Sequence, residues 1–195
     1  MMFSLKPFVA LTLGFVWLGM SAQASGPGQP ARLAQCADCH SPDSPRLSVD
    51  YPLLAGQPKT FLENQMIMIR EGLREIPMKR GIFDNVSDQE IISIAQHFSK
   101  QTLGASRNPK DIALYARGEK VAKDLLCGTC HLPNYAGRDQ MPRLAGQHES
   151  YLLNTMRKFR NNQAIGRDTI MAASLYGVHE DDLRAMAHYF SQLDR

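Results

Sequence analysis

The sequence predicts an all-α fold built from two tandem copies of one small helical unit, and three observations carry that prediction. The first is a repeat: Pro52-Leu53-Leu54-Ala55-Gly56-Gln57 returns as Pro142-Arg143-Leu144-Ala145-Gly146-Gln147, an offset of 90 residues, and self-similarity on that scale organises a whole chain. The second is the recurrence of apolar residues at helical spacing within each copy. The third is that no stretch of useful length alternates apolar and polar residues as a half-buried strand does.

From the N-terminus, Lys6 precedes a mostly apolar run from Phe8 to Met20, and Ser21-Ala22-Gln23-Ala24 places small residues where a signal peptidase cuts. The run falls short of the roughly 20 residues that span a bilayer, so residues 1–24 read as a cleaved export signal and the product as periplasmic. The first copy occupies residues 25–101. It begins on a short Gly- and Pro-rich segment, which leaves its opening helix stunted compared with that of the second copy. Residues 59–71 and 151–161 read as matching helices after the Leu-Ala-Gly-Gln turn, with Phe61 recurring as Tyr151 and Arg70 as Arg160. Ser87 with Glu90 three residues on is a capping box, and the helix it opens places Ile91, Ala95 and Phe98 on one stripe. The second copy keeps that stripe as Leu183, Ala187 and Phe190. It has His179 in place of the serine, which leaves Glu180, Asp181 and Asp182 to complement the helix N-terminus.

Between the copies, residues 102–109 are polar and contain Gly104 and Pro109, a linker composition. Asn108-Pro109 reads as the cap and first position of a helix reaching about Leu125, at the start of the second unit, 110–195. Units of about 80 residues bury little apolar surface and usually need a disulfide, a metal or a cofactor. The formal charge of +3 falls to +2 without Lys6, and acids and bases are mixed along the chain; nucleic-acid binding has no support.

The prosthetic group is indicated by Cys36-Ala37-Asp38-Cys39-His40 and Cys127-Gly128-Thr129-Cys130-His131, 91 residues apart and at the same station in each copy. Cys-x-x-Cys-His sets two thiols about one helical turn apart, where both can form thioethers to the vinyl groups of haem, and offers the next imidazole to iron. Three other readings compete. One zinc held by four cysteines does not explain a histidine after each pair; redox dithiols lack the βαβ setting; disulfides closing so short a loop would stabilise almost nothing. The motifs therefore predict two covalent haem c groups. A thioether sulfur is the usual second axial ligand where the task is electron transfer. Met78 and Met171, in predicted loops 38 and 40 residues beyond His40 and His131, hold that station. Met66 and Met156 recur inside a helix and read as core or haem-wall residues, and Met141 follows its histidine too closely. His97, His148, His179 and His188 do not recur at matched positions and read as surface or satisfied polar residues.

With these motifs the chain resembles the cytochrome c4 family of di-haem cytochromes over its whole mature length: an export signal, two cytochrome c domains each with Cys-x-x-Cys-His, a central Pro-x-Leu-Ala-Gly-Gln, and a methionine before the last helix. The resemblance implies His40 and His131 as proximal ligands with Met78 and Met171 opposite them. It implies that the Pro52 and Pro142 carbonyls accept from the proximal imidazoles, and that the domains are related by a pseudo-twofold axis with haems close enough to exchange electrons. A haem with both axial positions filled has no site for substrate. The expected role is thus that of a carrier, not an enzyme, passing electrons between a quinol-oxidising complex or dehydrogenase and a terminal oxidase or reductase. Two rivals stand beside it: the haem subunit of a dehydrogenase such as flavocytochrome c sulfide dehydrogenase, and a di-haem peroxidase. Loose attachment to the membrane is left open.

Overall fold

Each copy folds around its own apolar cluster, and the two clusters are tied together across a shared cavity. The computed structural model describes residues 32–41, 51–103 and 109–193; the expected export signal, the 25–31 segment and most of the linker lie outside them. Among the described residues the secondary structure is helical apart from one isolated bridge, Arg138 to Met141, and no helix is long and apolar enough to cross a membrane. The first copy contributes α1 (Leu33–His40), α2 (Lys59–Arg70), a 3-10 turn (Pro77–Lys79) and α3 (Asp88–Ser99). The second contributes α4 (Ile112–Asp124), α5 (Cys127–His131), α6 (Glu149–Arg160), α7 (Thr169–Leu175) and α8 (Glu180–Gln192).

The capping box is formed: Glu90 N–H donates to Ser87 Oγ at 3.2 Å and Ser87 N–H to Glu90 Oε2 at 3.1 Å. Behind that start Ile91, Ala95 and Phe98 are buried, with Leu62 and Met66 of α2 against them. Full burial of side chains such as Phe98 stabilises by about 1.5–3 kcal/mol each. The second cluster repeats the plan with Leu183, Ala187 and Phe190 of α8 packed against Leu152 and Met156 of α6. Here His179 makes no side-chain cap, and Glu180 instead binds Arg157 and Arg160. Arg70 and Arg160 perform one task in both copies, donating to the carbonyls of Val86 and Val178 just before the last helix.

Two expectations are corrected. The helix expected from Asn108-Pro109 starts only at Ile112, because Asp111 takes the cap: its Oδ1 accepts from Leu114 N–H at 3.0 Å, and its own N–H donates to His188 Nε2 on α8 at 2.9 Å. That second bond pins the chain outside the helix. Removing the cap acceptor with Asp111→Ala is expected to cost about 1 kcal/mol, visible as a lower urea midpoint in the intact protein. The other correction concerns the methionines. Met78 lies in the 3-10 turn, and Met171 lies in the first turn of α7, a helix whose start Asp168 fixes by accepting from Ile170 N–H at 2.8 Å.

Candidate functional site

Spacing of three and four residues brings Cys36, Cys39 and His40 to one face of α1, and α5 repeats the arrangement with Cys127, Cys130 and His131. α4 and α5 are separated by a tight break at Leu126, whose φ of 56° turns the chain so that the second motif faces inward. Both motifs open onto one cavity of about 1890 Å³, which Pro52, Pro142, Met78 and Met171 also line. Ordinary single-ligand pockets reach about 1,000 Å³; this one has room for two large groups.

His40 and His131 are buried, and each sets its Nδ1 on a proline carbonyl: His40 on Pro52 O at 2.7 Å, His131 on Pro142 O at 2.8 Å. A carbonyl only accepts, so Nδ1 carries the proton and Nε2 keeps its lone pair. Burial pushes the His40 pKa down to about 4, with the Lys79 charge adding to the effect, and burial likewise lowers that of His131. Both rings are therefore neutral near pH 7. His40 Nε2 stands 2.9 Å from Lys79 Nζ, whereas His131 Nε2 has no hydrogen-bond partner. A neutral imidazole with an outer-shell carbonyl on one nitrogen and a lone pair on the other is the form that ligates metals; the lone pair is free in His131 and meets Lys79 in His40.

Cys36 and Cys127 are not poised for other chemistry. Neither pair forms a disulfide. Burial pushes the Cys36 thiol up and Cys127 to about 11, opposite to the lowered values of redox-active or metal-ready thiols. Among the described residues no three His, Cys, Asp or Glu side chains gather as a metal cluster. Met66 and Met156 are buried in their clusters. Met78 is 44% exposed, and Met171 is half-buried against the second cluster. His188 is a satisfied buried polar residue, held between Glu149, which meets its Nδ1 at 2.9 Å, and the Asp111 N–H.

One feature of the site is absent from the sequence reading. The glutamines that end the two Leu-Ala-Gly-Gln turns cross to the opposite copy. Gln147 Oε1 accepts from Leu53 N–H at 2.8 Å and its Nε2 donates to Leu53 O at 2.9 Å; Gln57 Oε1 accepts from Arg143 N–H and its Nε2 donates to Arg143 O, both at 3.0 Å. This reciprocity is a pseudo-twofold relation between the domains. Around it, Arg74 of the first copy meets Tyr151 of the second, and Gly166 packs so tightly on Leu73 that a Cβ there would lie 1.9 Å from the Leu73 carbonyl oxygen.

Comparison with known proteins agrees with this plan. The cytochrome c family model matches residues 115–194. The chain is 31% identical to cytochrome c4 of Pseudomonas aeruginosa, with 94% of this chain and 95% of that protein covered. It belongs to the cytochrome c4 family. A crystal structure of reduced recombinant cytochrome c4 from Pseudomonas stutzeri superposes with a TM-score of 0.74 at 30% identity, covering 83% of this chain and 95% of that one. The thiosulfate dehydrogenase electron acceptor of Stutzerimonas stutzeri is 28% identical over 90% of both chains. Cytochrome c4 proteins are electron-transfer proteins of the cytochrome c type, so haem c is the group against which the site has to be tested. The residues fit it: each half offers two thiols on one helix face, a buried neutral imidazole with its outer-shell carbonyl, and a thioether on the cavity wall.

Proposed function

We propose that the chain binds two haem c groups, one through Cys36 and Cys39 and the other through Cys127 and Cys130, and acts as an exported di-haem electron carrier. The observation that carries this reading is the pair of buried, neutral imidazoles facing one cavity. His40 and His131 are the proximal ligands, and the Pro52 and Pro142 carbonyls orient their rings. Met78 and Met171 supply the thioethers opposite. Bound haem supplies reversible one-electron exchange between ferric and ferrous iron, and a thioether favours the reduced metal. Held by imidazole and thioether side chains, the haems would leave substrate no place, and the chain would pass electrons only, between a quinol-oxidising complex or dehydrogenase and a terminal oxidase or reductase. Residues 1–24 serve as the export signal; the two domains are 25–101 and 110–195, joined by 102–109.

Intact mass of the mature protein tests the reading first: two added haems on a chain starting at Ser25 are expected, and a polypeptide mass without porphyrin refutes it. A redox titration should resolve two midpoints. Met78 is exposed in a 3-10 turn while Met171 is half-buried in a helix, and solvent exposure alters haem potential. One unresolved one-electron transition for both haems counts against unequal sites. The relative that accepts electrons from thiosulfate dehydrogenase supports a second reading, in which this chain serves one dedicated dehydrogenase. Purification of the native protein separates the two: a stoichiometric dehydrogenase partner identifies a dedicated acceptor, and a lone chain or homodimer identifies a mobile carrier.

A further inference from the structure

Pro52 C=O and Leu53 N–H belong to a single planar peptide. At one end that peptide accepts the His40 Nδ1–H at 2.7 Å; at the other it donates to Gln147 Oε1 at 2.8 Å. The second copy repeats the chain of bonds, with the Pro142-Arg143 peptide between His131 Nδ1 at 2.8 Å and Gln57 Oε1 at 3.0 Å. Each glutamine also donates to the carbonyl of the residue it grips, which belongs to the next peptide, so its two bonds hold that residue on both sides of its Cα and keep the amide oxygen on the peptide that orients the imidazole. Gln57 is 5% and Gln147 3% exposed, which leaves water little access to replace these bonds.

We infer that Gln57 and Gln147 are positioning residues that act in trans: each sets the hydrogen bond to the proximal histidine of the opposite domain, and through it the potential of the opposite haem. Hydrogen bonds in series polarise one another. An amide oxygen on Leu53 N–H makes the Pro52 carbonyl a stronger acceptor, and a stronger acceptor on Nδ1–H makes the imidazole a more basic ligand. A more basic ligand favours ferric iron, so the glutamine lowers the midpoint of the haem in the other domain. Docking of the two domains and the affinity of each for its electron are thereby connected at one peptide on each side.

The inference rests on the haem reading above, and the test keeps the two apart. Gln147→Leu and Gln57→Leu are made in the full holoprotein, whose haem count and thioether band are first checked in the unmodified chain. Midpoints are then titrated, and the Nδ1–H resonances of His40 and His131 are followed by NMR in the reduced state. Gln147→Leu is expected to raise the midpoint of the haem at Cys36 and Cys39. Its reduced-to-oxidised ratio at fixed potential should rise several-fold, less than the ~10-fold at which the effects of losing a direct outer-shell partner begin. The His40 Nδ1–H signal should shift, with the other haem and His131 moving less. Gln57→Leu should give the mirror result. The shorter Gln147→Asn and Gln57→Asn carry the same expectation if a leucine variant does not accumulate with both haems. Shifts confined to the domain that carries the substitution, equal shifts of both haems, a fall in midpoint, or no shift overturn the inference. An unmodified chain lacking two thioether-ligated haems overturns the haem reading instead.

Discussion

Replacing Met171 with alanine is expected to lower the midpoint of the second haem by on the order of one to several tenths of a volt, within the roughly 0.8 V range that axial ligands command. On the ligand assignment proposed above, the physical cause would be the loss of a soft thioether that stabilises the reduced metal. The covalent haem count should not change, because Cys127 and Cys130 are untouched. In the ferric state the weak near-infrared band of thioether-ligated haem should fall to half, and that haem should turn high spin and take up an external ligand. Met78→Ala should do the same to the first haem alone, and the double variant should remove the band. The comparison discriminates sharply among the sulfurs of the cavity. Met66 and Met156 also line it but sit within packed helices, so their replacement should cost about 2–5 kcal/mol of stability as core truncations while leaving the band in place. A band that stays whole with Met171→Ala and falls to half with Met156→Ala reverses the ligand assignment.

Much of this arrangement is legible in the sequence, and what is not has a definite cause. The capping box at Ser87, the stripe of Ile91, Ala95 and Phe98, and the pairing of Arg70 with Arg160 are local or periodic features, and the repeat shows the last two of them twice. The start of α4 is different. Asn108-Pro109 and Asp111 are both acceptable starts by local chemistry, and the choice is made by His188, 77 residues away, accepting from the Asp111 N–H. The short helix that holds Met171 carries a local signal, since Asp168 two residues before Ile170 is a cap residue of the ordinary kind. Gln57 and Gln147 are visible as repeated letters, but their partners lie 86 and 94 residues off in the chain. Nothing in either copy alone reveals that the two amides exchange domains. Sequence periodicity thus locates what each unit does for itself and is blind to what one unit does for the other.

Gly118→Ala is the second substitution with a large expected effect, and here helix propensity and packing predict opposite signs. Inside a helix, alanine is favoured over glycine by about 1 kcal/mol, and Gly118 sits in the middle of α4 with ordinary helical backbone. Yet a Cβ at this position would lie 2.0 Å from the Ala185 carbonyl oxygen, 2.5 Å from its carbon and 2.7 Å from Tyr189 Cβ. Two of the three atoms are backbone of α8, with Ala185 and Ala122 fully buried around them, so no side chain can swing aside. Overpacking of this kind costs about 1–3 kcal/mol and sometimes more, and interiors at crystal-like density yield only by moving whole helices apart. Packing should win: Gly118→Ala is expected to destabilise the second domain by about 2 kcal/mol net, and Gly118→Val to prevent its stable folding. Gly177→Ala is the control, since nothing lies within 4 Å of its Cβ and only its φ of +73° opposes the change. Thermal melts of the holoprotein followed by circular dichroism compare the three directly. Because Met186 and Phe190 of α8 line the cavity and Cys127 follows α4 by three residues, forcing these helices apart moves the wall and the attachment helix together. Gly118→Ala should therefore also shift the midpoint of the second haem while leaving the first in place. A melt that rises with Gly118→Ala means that the two helices do not meet as closely as these distances require.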